Sequence, residues 1–388
     1  MSAPLLTPER DGISGPVPPA PQPPQGDRRG RRRPHGRPAR LPDRWREFRR
    51  TPLFPATVLT LLTAAVAGLL AGTYSYVMAK PEPRTLPVAV VGDSEAERRV
   101  VGALDRELRA SLVPHEHRTL AEARTHLDQR KDYAVLYERP GGAFRLETSG
   151  ASGASVAEVL AKAAPHAARD TGARLTVRDV HPPQPSDPKG IALFYLTFAA
   201  VMIGFLGAGQ LSAHAPGLLA GQRIGFTAAF ALLGGLCIYA VAEWWLGVLA
   251  MPFPVPWLIL SLTMFASGMV FTMFGALLRR WALLPTYGLM VLLGAPSCGG
   301  SVPTGLLPRP LAALGCWLPQ GAAVDALSAA VYFPRCQPVR SLLVLGAWAA
   351  VSCAVFWAWR HRHPGGPAPP GGAHRRAETR RLRPSAAG

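Results

Sequence analysis

Between Lys189 and Val302 the chain reads IALFYLTFAAVMIGFLGAGQL (191–211), IGFTAAFALLGGLCIYAVA (224–242), WLILSLTMFASGMVFTMFGALL (257–278) and WALLPTYGLMVLLG (281–294). Only Arg223, Glu243, Arg279 and Arg280 are charged within that stretch. About 20 apolar residues make a helix long enough to span a hydrocarbon layer of roughly 30 Å. A water-soluble core has no use for consecutive runs of this kind, so three full spans and a shorter fourth are expected here. Working outward, residues 53–79 form another run with no charge, and residues 341–359 a last one closed by Arg360 and Arg362. Six spans result.

The expected fold is therefore a membrane all-α bundle of six transmembrane helices, with an extracytoplasmic α/β domain inserted between helices 1 and 2. Its parts are a basic tail (1–52), helix 1 (53–79), the α/β domain (80–189), helices 2–5 (190–294), an outer Pro/Gly-rich loop (295–340), helix 6 (341–359) and a second basic tail (360–388).

Charge sets the orientation. The formal net charge of +18 is uneven: residues 1–52 carry twelve basic against five acidic residues, and residues 360–388 seven against one. Residues 80–189 are nearly balanced, with seventeen against sixteen. Basic residues flanking spans stay on the cytoplasmic side, which puts both termini inside a plasma membrane and requires an even number of spans. The basic run 28–33 is read as topogenic and lipid-facing, so no nucleic-acid partner is expected. Residues 41–50 place Leu41, Trp45 and Phe48 among arginines, a segment suited to the headgroup layer. Gly68 and Gly72 make a GxxxG pair, which lets a second helix approach closely.

Residues 80–189 alternate two periods. Hydroxyl–carboxylate pairs at Ser94/Glu97, Thr119/Glu122 and Ser155/Glu158 have the spacing of capping boxes at helix starts. Apolar β-rich runs at 88–91, 133–137, 144–148 and 175–180 read as strands. His115, Glu116 and His117 fall between these elements and are read as a solvated loop, so no metal site is expected.

The chemistry-bearing residues are few. None of the four lysines sits in a phosphate-binding Gly-rich loop, and no HExxH or GxSxG motif occurs. No acid, base and nucleophile set is visible, so neither an enzyme nor a cofactor is expected. Glu243 is acidic at membrane depth and a candidate for a pathway; beside Trp244 and Trp245 the reading it suits better is the outer interface, where a charge is cheap. In the outer loop, Pro296, Gly299 and Gly300 break the helix and would line a re-entrant segment at the exit of that pathway. Cys298, Cys316 and Cys336 lie in an oxidising setting in which one pair could bridge, whereas Cys237 and Cys353 are small apolar residues inside spans.

One loop carries the resemblance to a known group. Leu293-Gly294-Ala295-Pro296-Ser297-Cys298-Gly299-Gly300, Pro303, Leu307-Pro308, Trp317-Leu318-Pro319-Gln320-Gly321-Ala322 and Val331-Tyr332-Phe333 resemble the last extracytoplasmic loop of bacterial type-2 ABC permease-like membrane proteins, the group that includes the phage-infection-protein family. Pro87-Val88-Ala89-Val90-Val91, Asp132-Tyr133-Ala134-Val135-Leu136 and Asp187-Pro188-Lys189-Gly190 are similar to that group's ectodomain, and the order of features agrees over about residues 45–360. Cys298 stands where the group usually has a small hydroxyl residue.

The resemblance implies an export-type permease subunit that moves a hydrophobic or amphipathic molecule and works with a separate ATPase. Such a permease pairs its bundle with a second one, as a homodimer or heterodimer. The inner loop with His214, Leu218, Gln222 and Arg223 is the expected ATPase dock. The alternative is a membrane-anchored surface protein whose ectodomain binds an extracellular partner.

Overall fold

The computed structural model describes residues 53–79, 85–109 and 111–363. The tail 1–52 with its interfacial segment 41–50, and residues 364–388 of the second tail, lie outside the described residues. The chain divides into two units, residues 1–63 and 64–388. Of the first, only the opening turns of helix α1 (Leu53–Ala79) are described; every other element belongs to the second.

Four described helices are long and apolar enough to cross a membrane, which makes this a membrane-associated chain: α5 (Ala192–His214), α6 (Ala220–Ala240, continued to Trp245 by a π turn), α7 (Val255–Leu278) and α11 (Val339–Arg362). Helix α1 is 27 residues long without a charged side chain. The run expected at 281–294 is a shorter helix, α8 (Leu283–Ser297), whose middle is a π-helical stretch, Gly288–Leu293.

Helix α7 is the centre of the bundle and packs against α5, α6 and α11. Apolar side chains gain nothing by leaving lipid for another helix, so close backbone approach and interhelical hydrogen bonds hold such contacts. Small residues supply that approach here. A Cβ on Gly204 of α5 would lie 3.0 Å from the Met264 Cα, and one on Gly235 of α6 would lie 2.9 Å from the Ser261 nitrogen. Ser267 Oγ donates to the Val201 carbonyl at 2.7 Å, from α7 to α5. The GxxxG pair makes no comparable approach: a Cβ on Gly68 or Gly72 would meet nothing within 4 Å among the described residues.

The α/β unit is a five-stranded sheet in the order β2-β1-β3-β4-β5, built from β1 (Leu86–Val91), β2 (Leu112–His117), β3 (Ala134–Arg139), β4 (Ala143–Thr148) and β5 (Arg174–Asp179). All pairs are parallel except β3–β4, a hairpin turned by Gly141 and Gly142, both at positive φ. Positive φ costs glycine nothing, which is why the turn carries two. Strand alternation sends Leu86, Val88, Ala134 and Leu136 to one face, under α2 (Glu95–Glu107) and α4 (Ala154–Thr171). Ala89, Val91, Val135 and Tyr137 go to the other face, under α3 (Leu120–Asp128).

Three sequence expectations change. Ser94 and Thr119 accept hydrogen bonds from the Glu97 and Glu122 amides, as N-caps should. Ser155 does not cap: α4 starts at Ala154 with Gly153 before it, because a 3₁₀ turn at Gly150–Ser152 already leads the chain into the helix. His115 to His117 are not a loop. They end strand β2, paired with Ala89 to Val91, and His117 is buried at 8% exposure. Polar side chains hid an edge strand whose ladder supplies the order that its composition lacks.

The segment 295–340 is likewise no loop. It folds as a 3₁₀ turn at Thr304–Leu306, α9 (Arg309–Gly315) and α10 (Pro319–Tyr332), and α10 is packed among α5, α7 and α11. Val302, Leu306 and Leu307 of this segment complete the core of the α/β unit with Leu86, Val88 and Leu104. Gly305 permits this, since a Cβ there would stand 2.9 Å from the Thr85 carbonyl oxygen and 3.1 Å from the Tyr133 ring. Tyr133 Oη meets Thr304 Oγ1 at 2.9 Å and accepts from the Gly305 amide at 3.2 Å.

Candidate functional site

A cavity of about 520 Å³ opens where the α/β unit meets α10 and the start of α11. The α3–β3 turn contributes Arg130 and Lys131, α10 contributes Asp325, and α11 contributes Arg340 and Ser341. Arg130 itself occupies the left-handed turn position, at φ +59°, a value uncommon for a residue that carries a side chain. Its guanidinium donates to Asp325 Oδ1 at 2.7 Å and to the Asp325 carbonyl at 3.0 Å, and lies 5.6 Å from the centre of the Phe333 ring. Ser341 Oγ donates to Asp325 Oδ2 at 2.5 Å. One carboxylate thus ties the α/β unit, α10 and α11 together.

The three candidate thiols, Cys298, Cys316 and Cys336, all line this cavity. The disulfide expected among them is not formed: all five cysteines are free. Cys298 is buried and donates to the Ala295 carbonyl, and Cys316 accepts from Arg340 at 3.0 Å. Arg340 also stacks on Trp317, 5.1 Å from the ring centre.

The candidate pathway residues do not come together. Gly299, at φ +75°, lines the cavity; Gly300 lines a smaller neighbouring recess and packs 2.9 Å, measured from a Cβ there, from Phe194 Cβ. Pro296 is buried at the end of α8. Glu243 belongs elsewhere: in the π turn ending α6, its carboxylate accepts from the Met251 amide at 2.5 Å and holds the α6–α7 connection. Its role is that of a brace, because a carboxylate aimed at a backbone N–H satisfies a donor that the connection would leave unpaired.

The residues of the 214–223 loop are contiguous but not all outward. His214 ends α5 and Gln222 Oε1 accepts from the Leu219 amide. Arg223 folds back, donating to Ser212 Oγ at 3.0 Å and to the Ala215 carbonyl at 3.2 Å, and Arg360 of α11 donates to the Leu218 carbonyl at 3.1 Å. The two arginines brace this loop from both sides.

Sequence reasoning passed over Asp325, Arg340 and Gln320. A signal existed for the first: Asp325 and Glu243 are the two acidic residues of 190–359. Gln320 is fully buried, and neither end of its amide has a partner among the described residues. Among the described residues one group of metal-ligating side chains converges, His117, His126 and Asp132, the last of them two residues after Arg130.

No family model, curated protein or solved structure matches this chain.

Proposed function

We propose that the chain is the multi-pass permease subunit of an ABC-type exporter, moving an amphipathic substrate with an anionic head and energised by a separate ATPase. In this reading α1 and α8 join the four long helices as spans, the α/β unit is extracytoplasmic, and both termini are inside a plasma membrane. The observation that carries the substrate class is a junction. The polar cavity beside Arg130 and Arg340 shares Val339 and Arg340 with an apolar groove of about 530 Å³ formed by Trp317, Leu343, Val344, Ala347 and Trp348. Each volume is of the size that takes a small molecule. Guanidinium groups hold phosphate or carboxylate by paired donors, and the adjoining groove, apolar apart from the shared Arg340, offers an acyl chain a matching surface. The resemblance of the 293–333 segment to ABC permease-like proteins, and the absence of a nucleotide loop in this chain, support the separate energy source.

The test uses native membranes and a photoreactive long-chain alkyl phosphate. Label should concentrate on Trp317 and the first turns of α11, and Arg340→Glu should cut it about tenfold. A crosslinker at Leu218 or Gln222 should capture an ATPase. Label spread evenly over the lipid-facing helices would refute the substrate class. Complexes without any ATPase, together with no efflux phenotype, would refute transport and favour the surface-protein reading.

A further inference from the structure

The strongest unassigned chemistry lies on the α3 side of the sheet. Strand β2 is an edge strand, paired among the described residues with β1 alone, and alternation points His115 and His117 to the same face as their partners Ala89 and Val91. Helix α3 covers that face and brings Glu122 and His126, one turn apart, toward His117. The chain then rounds the turn at 129–131, and Asp132 enters two residues before the start of β3. Three distant positions are therefore collected by one βαβ crossover.

Their atoms face one another without bonding. His126 Nδ1 stands 3.5 Å and His117 Nε2 3.9 Å from Asp132 Oδ2, and one ligand atom from each residue lies within 4.8 Å of the others. The two rings are 4.3 Å apart, edge to face. All three atoms are buried and lack a hydrogen-bond partner among the described residues. Asp132 is 1% exposed and His117 8%. Three unpartnered polar atoms at one buried point cost free energy unless something sits between them.

The surrounding groups suit an ion there. His115 Nδ1 holds the other Asp132 oxygen, Oδ1, at 2.6 Å, and Glu122 Oε1 lies 3.6 Å from His117 Nδ1, the carboxylate-behind-imidazole arrangement that orients metal-binding histidines. Ligand atoms about 2.0–2.1 Å from a tetrahedral zinc stand about 3.3 Å apart, so the set closes onto an ion by side-chain movements under about 1 Å.

We propose that His117, His126 and Asp132 bind a divalent transition-metal ion of the zinc class, with water in the fourth position. Two imidazoles and a carboxylate suit zinc, cobalt or nickel, whereas calcium and magnesium prefer sets made wholly of oxygen. His126 and Asp132 bracket the turn that carries Arg130 to Asp325, so an ion here would stiffen the joint between the α/β unit and the helices. This site does not depend on the transport reading.

The test uses the full chain without a histidine tag, in detergent, stripped with chelator and titrated at neutral pH with cobalt chloride and then zinc chloride. One equivalent of cobalt should bind with the visible absorption of a tetrahedral ion, and zinc should displace it. His117→Ala and His126→Ala should each weaken binding at least about tenfold, and His115→Ala by about tenfold through its hold on Asp132. Exchange of amides 112–132 should slow with zinc. His126 is half-buried, so His126→Gln serves if His117→Ala fails to fold, with circular dichroism as the check. Calcium chloride should do nothing. The proposal is overturned if cobalt does not saturate, if saturation is unchanged by the histidine variants, or if acid alone reproduces the ordering, which would make the cluster a protonated His–Asp pair.

Discussion

Replacing Arg124 by Ala should strand a buried carboxylate. Glu147 sits on β4 at 1% exposure, with Arg124 Nε donating to Oε2 at 2.9 Å, Arg124 Nη2 to Oε1 at 2.7 Å and Tyr137 Oη to Oε1 at 2.9 Å. Burial alone pushes this carboxyl up; the hydrogen bonds from Arg124 and Tyr137 and the Arg124 charge overcome it and hold it below the usual range. Breaking one side of a buried pair costs about 3–5 kcal/mol. Arg124 is itself 49% exposed, so water replaces part of what is lost, and about 2 kcal/mol is the expected cost. By the usual 1.36 kcal/mol per decade, that is roughly a thirtyfold loss of hydrogen-exchange protection at β4 amides near pH ~7.

The pH dependence has a definite sign. A carboxyl depressed on folding contributes stability that is present above its unfolded pKa of about 4.3 and lost as pH falls through the lower folded value. In Arg124→Ala the stranded carboxyl takes up a proton more readily, so the deficit should shrink below about threefold by pH ~4. Arg124→Ala combined with Glu147→Gln should recover about half of the loss at pH ~7, because no charge is left buried. The assay is exchange mass spectrometry on the full chain in detergent. An equal deficit at both pH values, or less than about threefold at the higher one, would refute the account.

Glu97 behaves in the opposite way. It is 2% exposed with Oε1 unpartnered, and burial raises its carboxyl above the usual range. A raised carboxyl favours the folded state below the unfolded pKa and costs stability as pH rises through the folded one, so Glu97→Gln should stabilise by on the order of 1 kcal/mol near pH ~7 and have little effect near pH ~4, read by thermal melting. Gly315→Ala should destabilise the α8–α9–α10 junction by about 1–3 kcal/mol or more, since its Cβ would overlap the Ser297 carbonyl and the neighbouring backbone cannot yield cheaply. A melting temperature unchanged by that substitution would mean that the three helix ends do not pack as described.

How much of this was legible in sequence depends on the range of the interaction. The apolar runs are local and self-sufficient: a stretch of about 20 residues without charge declares a helix wherever it lies, and the long helices accordingly begin and end within a few residues of the runs that announced them. The Ser94 and Thr119 caps are equally local. Strand β2 and helix α10 were not legible. His115, Glu116 and His117 become a strand only because β1 lies beside them, and the Pro- and Gly-rich segment becomes helix α10 only because α5, α7 and α11 enclose it.

The sites follow the same division. Chain position alone placed Cys298, Cys316 and Cys336 in one segment, and the folded chain brings them to one cavity while giving Cys298 and Cys316 partners that leave them unbridged. Glu243 was prominent in sequence because it is acidic in an apolar stretch, yet its nearest need is a backbone amide. Asp325, the other acid of that region, reaches Arg130 195 residues earlier in the chain. His117, His126 and Asp132 come from a strand, a helix and a strand start, and no spacing rule relates them. The sequence by itself determined which segments prefer lipid and which local turns start or stop an element, because those choices depend on each residue and its near neighbours. Which polar groups meet was decided by the tertiary structure, because a buried charge or imidazole is tolerable only opposite a partner, and partners far apart in the chain are chosen by packing.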